Sequence, residues 1–355
     1  MSFAVKLMQW YGEHGRDLPW RATQNPYIIW LSEIILQQTR VEQGRPYFYR
    51  FVDAFPNVAA FAEANEEDIL RLWQGLGYYS RARNMHRAAQ MVMQDFQGIF
   101  PTRYEEVIRL PGVGEYTAAA IASFSANEPK AVVDGNVYRV LARYLGIKEP
   151  INTSTGKKLF ARLAQEMLDI HNPGAYNQAI MDFGALQCKP KKPLCEACVF
   201  RLDCRALREN NVEVLPVKLK GKGSRNRYFH YFIVREADRM LMAKRGQGDV
   251  WTSLYEFPMI ETAADVSVPE LMINPDFTEY FEENTILKVV DKPVKQVLSH
   301  QNIYARFYIV SEAGMVKAKK KEWDYHYYEK IDKLAKHKLI FSFLEKNGHL
   351  ISATF

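Results

Sequence analysis

The chain has 355 residues, a net charge of +6 at pH 7 and 48% hydrophobic residues. This length predicts two domains, and this charge permits a nucleic-acid partner without requiring one. No apolar run approaches the roughly 20 residues that span a bilayer, and no signal segment opens the chain, so we expect a cytoplasmic protein without a membrane partner.

The pattern along the chain predicts a helical domain, a linker and a smaller mixed domain. Over 1–210 the apolar residues recur at helical spacing. Over 211–227 basic residues, proline and glycine interrupt that spacing, as is typical of a linker. Over 228–355 partial strand alternation appears and the chain closes with an amphipathic helix, so we predict an all-α domain followed by an α+β domain. The predicted strands are 228–235, 240–244 and 296–310, and the predicted closing helix is 331–347.

A single acidic residue, Glu33, lies in an apolar helical segment that spans 26–39. Burial raises the pKa of a carboxyl group, so a buried Glu33 would be protonated near neutral pH and serve as a general acid. The alternative is an ion pair with Arg21 or Arg40 that only orients the fold. This segment alone gives the two interpretations equal weight.

Helical spacing also predicts a pocket around Glu33. Trp30 lies three residues before it and Gln37 lies four residues after it. Residues at these separations share one face of a helix. An acid, an amide and an aromatic ring on one face have the composition of a pocket for a flat polar ring.

The segment 74–84, QGLGYYSRARN, places Tyr78 and Tyr79 between glycines and a pair of arginines. Aromatic side chains flanked by cations suit insertion into a stack of bases. The alternative is that these tyrosines pack in a core, and we expect that of at least one of them.

The segment 110–118, LPGVGEYTA, predicts a helix, a glycine turn and a second helix. Gly112 and Gly114 let a ligand approach the backbone, and the free amides at the start of the second helix can bind a phosphate. The alternative is an ordinary tight turn between packed helices, although the full string is more specific than its two glycines.

A carboxylate, Asp134, ends an apolar run and precedes a helix that carries Arg139 and Arg143 on one face. Capping of that helix is the usual role of an aspartate in this position. The functional interpretation requires a second carboxyl group in a different environment, which Glu33 supplies. A protonated acid and an ionised carboxylate form the pair that cleaves glycosidic bonds.

All four cysteines fall in one stretch with the spacing C-x6-C-x2-C-x5-C, at Cys188, Cys195, Cys198 and Cys204. A disulfide pair is the first alternative, but a chain of this length needs no covalent staple, and a reducing compartment favours a metal site. Four thiolates can hold a zinc ion or an iron–sulfur cluster. The wide first gap departs from the paired CxxC of zinc ribbons and favours the cluster, while ligand count leaves both open.

Basic residues accompany these cysteines, at Lys189, Lys191, Lys192 and Arg201. A loop of this charge, held rigid by a metal group, suits a phosphate backbone. The alternative is that the charges only solvate a surface loop.

The segments LSEIILQQT, GLGYYSRARN, LPGVGEYTA and VVDGNVYRVLAR and the four-cysteine loop, in this order, resemble the adenine DNA glycosylases of the MutY type within the endonuclease III superfamily. The resemblance covers essentially the whole chain. It implies a helix-hairpin-helix glycosylase domain with the hairpin near 105–122 and a [4Fe-4S] cluster held by the cysteines of 188–204. It also implies excision of adenine mispaired with 8-oxoguanine or guanine in double-stranded DNA, by flipping the adenine out of the duplex. We expect a monomer.

The resemblance implies catalytic roles for four residues. Glu33 matches the general acid that protonates the ring nitrogen at position seven of adenine. Asp134 matches the carboxylate that stabilises the oxocarbenium ion or a transient covalent bond to the sugar. Tyr116 and Asn136 match residues that orient this aspartate and the attacking water.

The same resemblance implies binding roles for further residues. Gln38 and Tyr78 match groups that probe the stack around 8-oxoguanine. Residues that match the pocket around the flipped base are Trp20, Arg21, Leu36 and Gln178. Family analogy alone also places a monovalent cation or a calcium ion at the hairpin, with backbone carbonyls as ligands.

Tyr116 decides the subclass, because bifunctional relatives place a lysine at this position. A Schiff base to the sugar requires an amine nucleophile, which tyrosine lacks. We therefore predict a monofunctional hydrolase that leaves an abasic site, with strand nicking weak or absent.

The C-terminal segment AKRGQGDVWTSLYEFPMIE resembles the opening of a MutT-like Nudix domain. No REXXEE arrangement that would bind magnesium follows Pro258, so only the fold of that domain is expected. Ser299 and His300 lie where, in the family, a polar loop contacts the lesion, and a serine hydroxyl suits its carbonyl and extra ring NH. The alternative is a serine at a strand end beside a surface histidine.

Two other functions compete with this interpretation. A pyrimidine-damage glycosylase with lyase activity shares the hairpin and cluster, although Tyr116 and the C-terminal domain count against it. A non-catalytic protein that binds lesions or senses redox state would use its cysteines for regulation.

Overall fold

Helices form most of the chain up to Arg208, which confirms the predicted helical character of this part. The computed structural model describes residues 1–221, 223–311, 316–318 and 320–352. Residues 1–221 contain twelve α-helices, a short 3₁₀ helix at Pro19–Arg21 and a π-helix at Phe183–Gln187. The α-helices are α1 (Phe3–His14), α2 (Pro26–Ile35), α3 (Val41–Ala54), α4 (Val58–Glu63), α5 (Glu66–Leu72), α6 (Ser80–Asp95), α7 (Tyr104–Val107), α8 (Glu115–Ala126), α9 (Gly135–Leu145), α10 (Ser154–Glu166), α11 (Pro173–Asp182) and α12 (Arg205–Arg208).

Helix α2 is shorter than the sequence predicts. The Asn25 side chain caps it by accepting a hydrogen bond from Tyr27 N, and Pro26 occupies its first turn, where a missing N–H costs nothing. It ends at Ile35, and Gln38 has a left-handed backbone with φ of 56°. The predicted continuation to residue 39 is therefore wrong, because a left-handed residue cannot continue a right-handed helix.

The chain divides into two units. The first contains Met1–Glu63 and Asn84–Gly221, and the second contains Ala64–Arg83 and Lys222–Phe355. Buried aromatic side chains fill one core of the first unit, among them Trp10, Phe160, Tyr176, Phe183 and Phe200. None of the described helices has both the length and the apolar character that crossing a membrane requires.

The predicted linker 211–227 is packed against the first unit along its first half. Leu215 is buried in the core of that unit, and Ile151 N donates a hydrogen bond of 3.0 Å to Val217 O. The last residues of this segment already belong to a strand, which begins at Arg225.

Two four-stranded sheets form the second unit, in which we predicted an α+β domain. The first has the order β5-β1-β7-β6, with β1 and β7 parallel and the other pairs antiparallel. The second has the order β2-β3-β4, with β8 antiparallel to β3. The strands are β1 (Arg225–Ile233), β2 (Arg235–Glu236), β3 (Arg239–Lys244), β4 (Tyr255–Glu256), β5 (Met259–Thr262), β6 (Leu287–Val297), β7 (Gln301–Val310) and β8 (Trp323–Tyr327). The unit also contains α5, which lies in Ala64–Arg83, and the helices α13 (Val268–Met272), α14 (Pro275–Tyr280), α15 (Tyr328–Ile331) and α16 (Lys338–Ser352).

The predicted boundaries of one strand and one helix in this unit are wrong. The predicted strand 296–310 is the end of β6, a turn at 298–300 and β7. The predicted helix 331–347 is interrupted, because Tyr255 N donates a hydrogen bond of 2.8 Å to Ala335 O and Tyr255 forms a parallel bridge with Lys336. The backbone is extended there, so α16 begins only at Lys338.

Candidate active site

A cavity of about 450 Å³ opens within the helical unit. It is lined by residues from the segment before α2, from α2, α8, α9 and α11, and from the start of α3. The cavity brings together most of the predicted catalytic and pocket residues, namely Trp20, Arg21, Glu33, Leu36, Tyr116, Asp134, Asn136 and Gln178.

Glu33 lies on α2 at the wall of this cavity and is only 8% exposed. Its Oε2 accepts a hydrogen bond of 2.8 Å from Tyr116 Oη. Burial raises the pKa of Glu33 to about 7, the negative charge of Asp134 acts in the same direction, and the Tyr116 hydrogen bond and the Arg21 charge oppose it. Glu33 therefore carries a proton in a large share of molecules near neutral pH, as a general acid requires.

Arg21 does not form an ion pair with Glu33, which was the alternative to Glu33 acting as a general acid. Arg21 Nη1 and Nη2 instead donate to the two carboxylate oxygens of Asp182, at 2.7 and 2.8 Å. Arg16 binds the same carboxylate through its backbone N and its Nε, both at 2.9 Å. Burial favours a raised pKa for Asp182, but these hydrogen bonds outweigh burial and hold the pKa of Asp182 below its usual value.

Sequence reasoning missed Asp182. It is fully buried at the end of α11, and its arginine partners lie more than a hundred residues earlier in the chain. A lone aspartate near the end of a helix gives no local sign of such partners. An acidic residue on the core face of an apolar helix was the one available signal, the same signal that indicated Glu33.

Asp134 both caps α9 and faces the cavity, so the structural and functional interpretations are compatible. Its Oδ1 accepts hydrogen bonds from the backbone N of Asn136 and Val137, at 2.9 and 2.8 Å. Its Oδ2 accepts from Asn136 Nδ2 at 2.8 Å. Burial raises the pKa of Asp134, while these three hydrogen bonds favour its ionised form.

The amide of Asn136 is oriented from its other side by Arg139. Arg139 Nη2 donates to Asn136 Oδ1 at 2.8 Å and to Gly184 O at 2.7 Å. The oxygen of the amide is thereby engaged, so its nitrogen must face Asp134. Arg139 is 8% exposed, and its contribution to the site was not predicted from the sequence.

Trp30 and Gln37 do not reach the cavity, so the predicted pocket of these two side chains around Glu33 is wrong. Trp30 is fully buried and packs against other aromatic rings, including Phe61 and Phe100. Gln37 lies beyond the end of α2, and its Nε2 donates to Thr117 Oγ1 at 3.2 Å. Gln38 is exposed at the surface outside the cavity lining.

The predicted glycine turn connects α7 to α8. Gly112 has a φ of +77°, and a Cβ atom added to it would lie 2.6 Å from Asn84 Cβ. A side chain at residue 112 is therefore excluded by both backbone and packing. Gly114 precedes α8 as its N-cap, and a Cβ added there would meet no atom within 4 Å. The space beside Gly114 is open to an approaching ligand.

Tyr78, Ser299 and His300 line a second cavity, of about 470 Å³, which lies within the second unit. Tyr78 Oη and Ser299 Oγ are 2.8 Å apart and share a hydrogen bond. Tyr79 is 4% exposed, and its hydroxyl donates to Lys336 O at 3.0 Å. One tyrosine of the pair is thus a packing residue, as expected, and the other is 48% exposed.

All four cysteines line one small cavity, and none forms a disulfide. Cys188 Sγ accepts a hydrogen bond from Arg143 Nη1, and Cys198 Sγ accepts one from Phe200 N, both at 3.4 Å. Burial raises the pKa of Cys198 to about 11, and the other cysteines add to that increase. Within the described residues, no three His, Cys, Asp or Glu side chains converge closely enough to hold a single metal ion.

The basic residues of this loop divide into two kinds. Lys191 and Lys192 are exposed, whereas Arg201 Nη2 lies 2.9 Å from Glu196 Oε2 in an ion pair. Lys191 and Lys192 therefore provide the exposed positive charge of the loop, whereas Glu196 neutralises the charge of Arg201.

Comparisons with known proteins agree with this geometry. Residues 31–166 match the model of the HhH-GPD superfamily of base excision DNA repair proteins. An adenine DNA glycosylase of Buchnera aphidicola subsp. Schizaphis graminum is 35% identical over 86% of this chain and 84% of its own length. The chain belongs to the adenine DNA glycosylase family. It is accordingly a DNA N-glycosylase, as its sequence predicts.

Other relatives and solved structures extend the comparison. The adenine DNA glycosylase of Homo sapiens is 40% identical over 58% of this chain and 39% of its own length. The structure of a thermostable thymine-DNA glycosylase matches with a TM-score of 0.55 and 28% identity, over 58% of this chain and 95% of that one. A non-covalent endonuclease III–DNA complex, at 19% identity and a TM-score of 0.51 over 58% of this chain and 94% of that one, shows the same fold.

Proposed function

We propose that this protein is a monofunctional adenine DNA glycosylase that removes adenine mispaired with 8-oxoguanine, or with guanine, from double-stranded DNA. The observation that carries the proposal is the pairing of two carboxyl groups in one cavity. Glu33 is buried with a pKa raised to about 7, and Asp134 is held by three hydrogen bonds that favour its charge. One group can donate a proton while the other remains an anion.

The reaction begins when Glu33 gives its proton to the ring nitrogen at position seven of a flipped adenine. The N-glycosidic bond then breaks, its electron pair leaves with the base, and adenine departs as a neutral molecule. Asp134 stabilises the positive sugar, as an ion pair or through a transient covalent bond. Water adds to the sugar and returns a proton to Glu33, which restores the acid and leaves an abasic site.

Tyr116 and Asn136 support this chemistry without forming bonds to the substrate. Burial raises the pKa of Tyr116 far above its usual value, so its hydroxyl remains a neutral donor to Glu33. Asn136 holds Asp134 in position. Tyr116 occupies the position of the lysine in bifunctional relatives, and its hydroxyl donates a hydrogen bond to Glu33. This supports the absence of Schiff-base chemistry.

Recognition of the opposite strand is proposed for the second unit, in which residues 228–355 are proposed to have a MutT-like fold. The hydrogen-bonded pair of Tyr78 and Ser299 lines its cavity beside His300, and this grouping supports contact with 8-oxoguanine. Gln38 is exposed in a left-handed turn and is proposed to probe the base stack. The glycine hairpin is proposed to bind the phosphate backbone through the backbone amides at the start of α8, where Gly114 provides no side-chain cap.

The four cysteines are proposed to hold a [4Fe-4S] cluster. They suit that group because four thiols line one cavity and two sulfurs already accept hydrogen bonds from N–H donors. Thiolates are the protein ligands of such clusters. A bound cluster would fix the shape of the loop, and Lys191 and Lys192 would then face the phosphates of DNA. The protein is proposed to act on this DNA in the cytoplasm.

A single-turnover assay tests this function, with a duplex that carries one adenine opposite 8-oxoguanine and is scored for strand breaks with and without alkali. Breaks only after alkali are expected, because an abasic site is cleaved by base. Breaks without alkali would show lyase chemistry and contradict the role of Tyr116. The absence of breaks under both conditions would refute this function and favour a protein that binds lesions without catalysis.

A further inference from the structure

Tyr78 lies in a loop of the second unit that has an unusual backbone. Its own φ is 47°, in the left-handed region, and it follows Gly75 and Gly77, whose φ values are 101° and 73°. The left-handed region is unfavourable for a residue with a side chain, so that conformation persists only where neighbouring contacts hold it. Tyr78 is half exposed while Tyr79 is buried, so the turn points two consecutive tyrosines into different surroundings.

One residue near the C-terminus, Lys336, binds this loop on both sides of Tyr78. Lys336 N donates a hydrogen bond of 3.2 Å to Gln74 Oε1, four residues before Tyr78. Lys336 O accepts a hydrogen bond of 3.0 Å from Tyr79 Oη, one residue after Tyr78. All four residues belong to the second unit. The loop is therefore held at two points that flank Tyr78.

Lys336 is itself held from several directions. It is 1% exposed, and its Nζ donates hydrogen bonds to the carbonyl oxygens of Ile331, at the end of α15, and of Leu334, the latter at 2.8 Å. Its backbone forms a parallel bridge with Tyr255. A buried residue with this many contacts is a fixed point to which a loop can be attached.

The residue after Lys336 supports another part of the cavity that Tyr78 lines. His337 is fully buried, and its ring stacks on the ring of Trp251 with 3.8 Å between the centroids. Trp251, Tyr78 and Ser299 line the same cavity. Two adjacent residues of the C-terminal segment therefore contact both the Tyr78 loop and the Trp251 wall of this cavity.

We propose that Gln74 and Tyr79 are positioning residues, which hold Tyr78 ready to read 8-oxoguanine. They act through the backbone of Lys336 and keep the Tyr78 hydroxyl 2.8 Å from Ser299 Oγ. This inference rests on the proposed function, in which Tyr78 and Ser299 contact the lesion. A half-exposed side chain on a fixed backbone loses less conformational freedom when it binds, which strengthens binding without any new contact. The alternative is that the two hydrogen bonds only stabilise the fold.

The first test compares the affinities of Tyr79→Phe and the wild-type full chain for two duplexes. Both contain a non-hydrolysable adenine analogue, opposite 8-oxoguanine in one duplex and opposite guanine in the other. We expect Tyr79→Phe to bind the 8-oxoguanine duplex roughly three- to tenfold more weakly, the size of one hydrogen bond, and the guanine duplex less than about twofold more weakly. Equal losses for the two duplexes, or no loss, would overturn the inference.

The effect of Tyr79→Phe should require the ring of Tyr78. In a Tyr78→Ala background, Tyr79→Phe should cause no further loss of affinity, because no ring remains to be positioned. A further loss of the same size would show that Tyr79 acts on something other than Tyr78, and would refute its positioning role.

Fluorescence of 2-aminopurine placed beside 8-oxoguanine gives a readout that lost stability alone does not change. This base becomes brighter when an inserted side chain disturbs its stacking. At saturating protein, where affinity no longer matters, Tyr79→Phe should give a smaller increase than the wild type. An equal increase would show that Tyr78 enters the stack without help from Tyr79, and would contradict the proposal.

Three further variants separate positioning from stability. Gln74→Leu removes the other hydrogen bond to Lys336 and should reproduce the effect of Tyr79→Phe, and it carries the test if Tyr79→Phe does not fold. Gln74→Glu keeps an acceptor for Lys336 N and should bind like the wild type. Tyr27→Phe is the matched control, since it removes a buried hydroxyl that donates to Phe55 O in the first unit. A change of duplex preference in Tyr27→Phe as large as that in Tyr79→Phe would show that lost stability explains both.

The failure of this inference is distinguishable from the failure of the proposed function. A wild-type protein that binds the two duplexes equally and releases no adenine would refute both. A wild-type protein that releases adenine and prefers 8-oxoguanine, with an unchanged preference in Tyr79→Phe and Gln74→Leu, would refute only the positioning role.

Discussion

Tyr116 Oη donates a hydrogen bond of 2.8 Å to Glu33 Oε2, although the two residues are 83 positions apart in the chain. A donor hydroxyl stabilises the ionised form of the carboxyl group, whereas burial and the charge of Asp134 stabilise the protonated form. The balance of these effects places the pKa of Glu33 at about 7. The hydrogen bond therefore adjusts an acid to the pH at which it works, rather than simply holding it in place.

Replacing Glu33 with glutamine removes the titrating proton but keeps the shape of the side chain. We expect the rate of adenine release to fall by roughly 10²- to 10⁴-fold, the usual contribution of a general acid. Single-turnover kinetics at saturating enzyme measure this rate independently of DNA affinity. Glu13→Gln is a matched control, because Glu13 is exposed on α1, and it should release adenine at the wild-type rate. Unchanged release in Glu33→Gln would refute the assigned acid.

The rate of adenine release should depend on pH with a limb set by Glu33. The protonated form is the active acid, and its fraction falls as the pH rises through a pKa of about 7. The rate should therefore be high below pH 7 and fall about tenfold per pH unit well above it. Single-turnover rates measured from pH 5.5 to 9 would show this limb, and a rate that is constant across the range would contradict it.

Tyr116→Phe should move that limb upward. Removing the hydroxyl deletes a hydrogen bond that lowers the pKa of Glu33, while burial and the Asp134 charge remain. The pH at which the rate is half-maximal should rise, and the measurement is the same pH series. Tyr176→Phe should leave the midpoint in place, since the buried hydroxyl of Tyr176 has no hydrogen-bond partner among the described residues. A midpoint that falls in Tyr116→Phe would show that the hydroxyl stabilises the protonated acid instead.

Asp182→Asn should destabilise the helical unit. The substitution removes the carboxylate that neutralises Arg16 and Arg21, whose side chains are 31% and 12% exposed. Breaking a buried ion pair from one side costs about 3 kcal/mol or more, because the remaining charge is left without a partner. Urea unfolding of the full chain measures this loss. Asp68→Asn removes an ion pair whose members are half exposed, and it should change stability by less than about 1 kcal/mol.

The residues with a proposed catalytic role were easier to predict from the sequence than the residues that hold them in position. Glu33 stood out because a lone acid in an apolar helix is costly to bury, and Asp134 because a carboxylate preceded a helix. Asp182 also lies in a buried segment, but its arginine partners are distant in sequence. Pairing across such separations depends on tertiary packing, which local patterns do not encode.

The sequence also failed to predict where some helices and strands begin and end. The apolar pattern continues past Ile35, but α2 ends there and Gln38 adopts a left-handed backbone. Helical periodicity then no longer applies, so Gln37 contacts Thr117 instead of sharing a face with Glu33. Backbone conformation at a helix end is fixed by a few residues and by packing, and hydrophobic spacing carries little information about it.

Tyr78 and Ser299 should act as one unit in binding 8-oxoguanine, because their hydroxyls are hydrogen-bonded to each other. We expect Tyr78→Phe and Ser299→Ala each to weaken binding, and the double variant to lose less than the sum of the two, with a coupling of about 1 kcal/mol. The measurement is the affinity of each variant for a duplex with a non-hydrolysable adenine analogue opposite 8-oxoguanine. Tyr327→Phe is the matched control, since Tyr327 is similarly exposed in the second unit and should bind like the wild type.

Stability distinguishes this role from a structural one. Tyr78 is 48% exposed, so losing its hydrogen bond should change the free energy of unfolding by no more than about 0.5 kcal/mol. Weaker binding at unchanged stability would locate the effect in DNA binding. Strictly additive losses would show that the two residues act independently. Losses of equal size for guanine and 8-oxoguanine duplexes would show that the pair contacts DNA without reading the lesion.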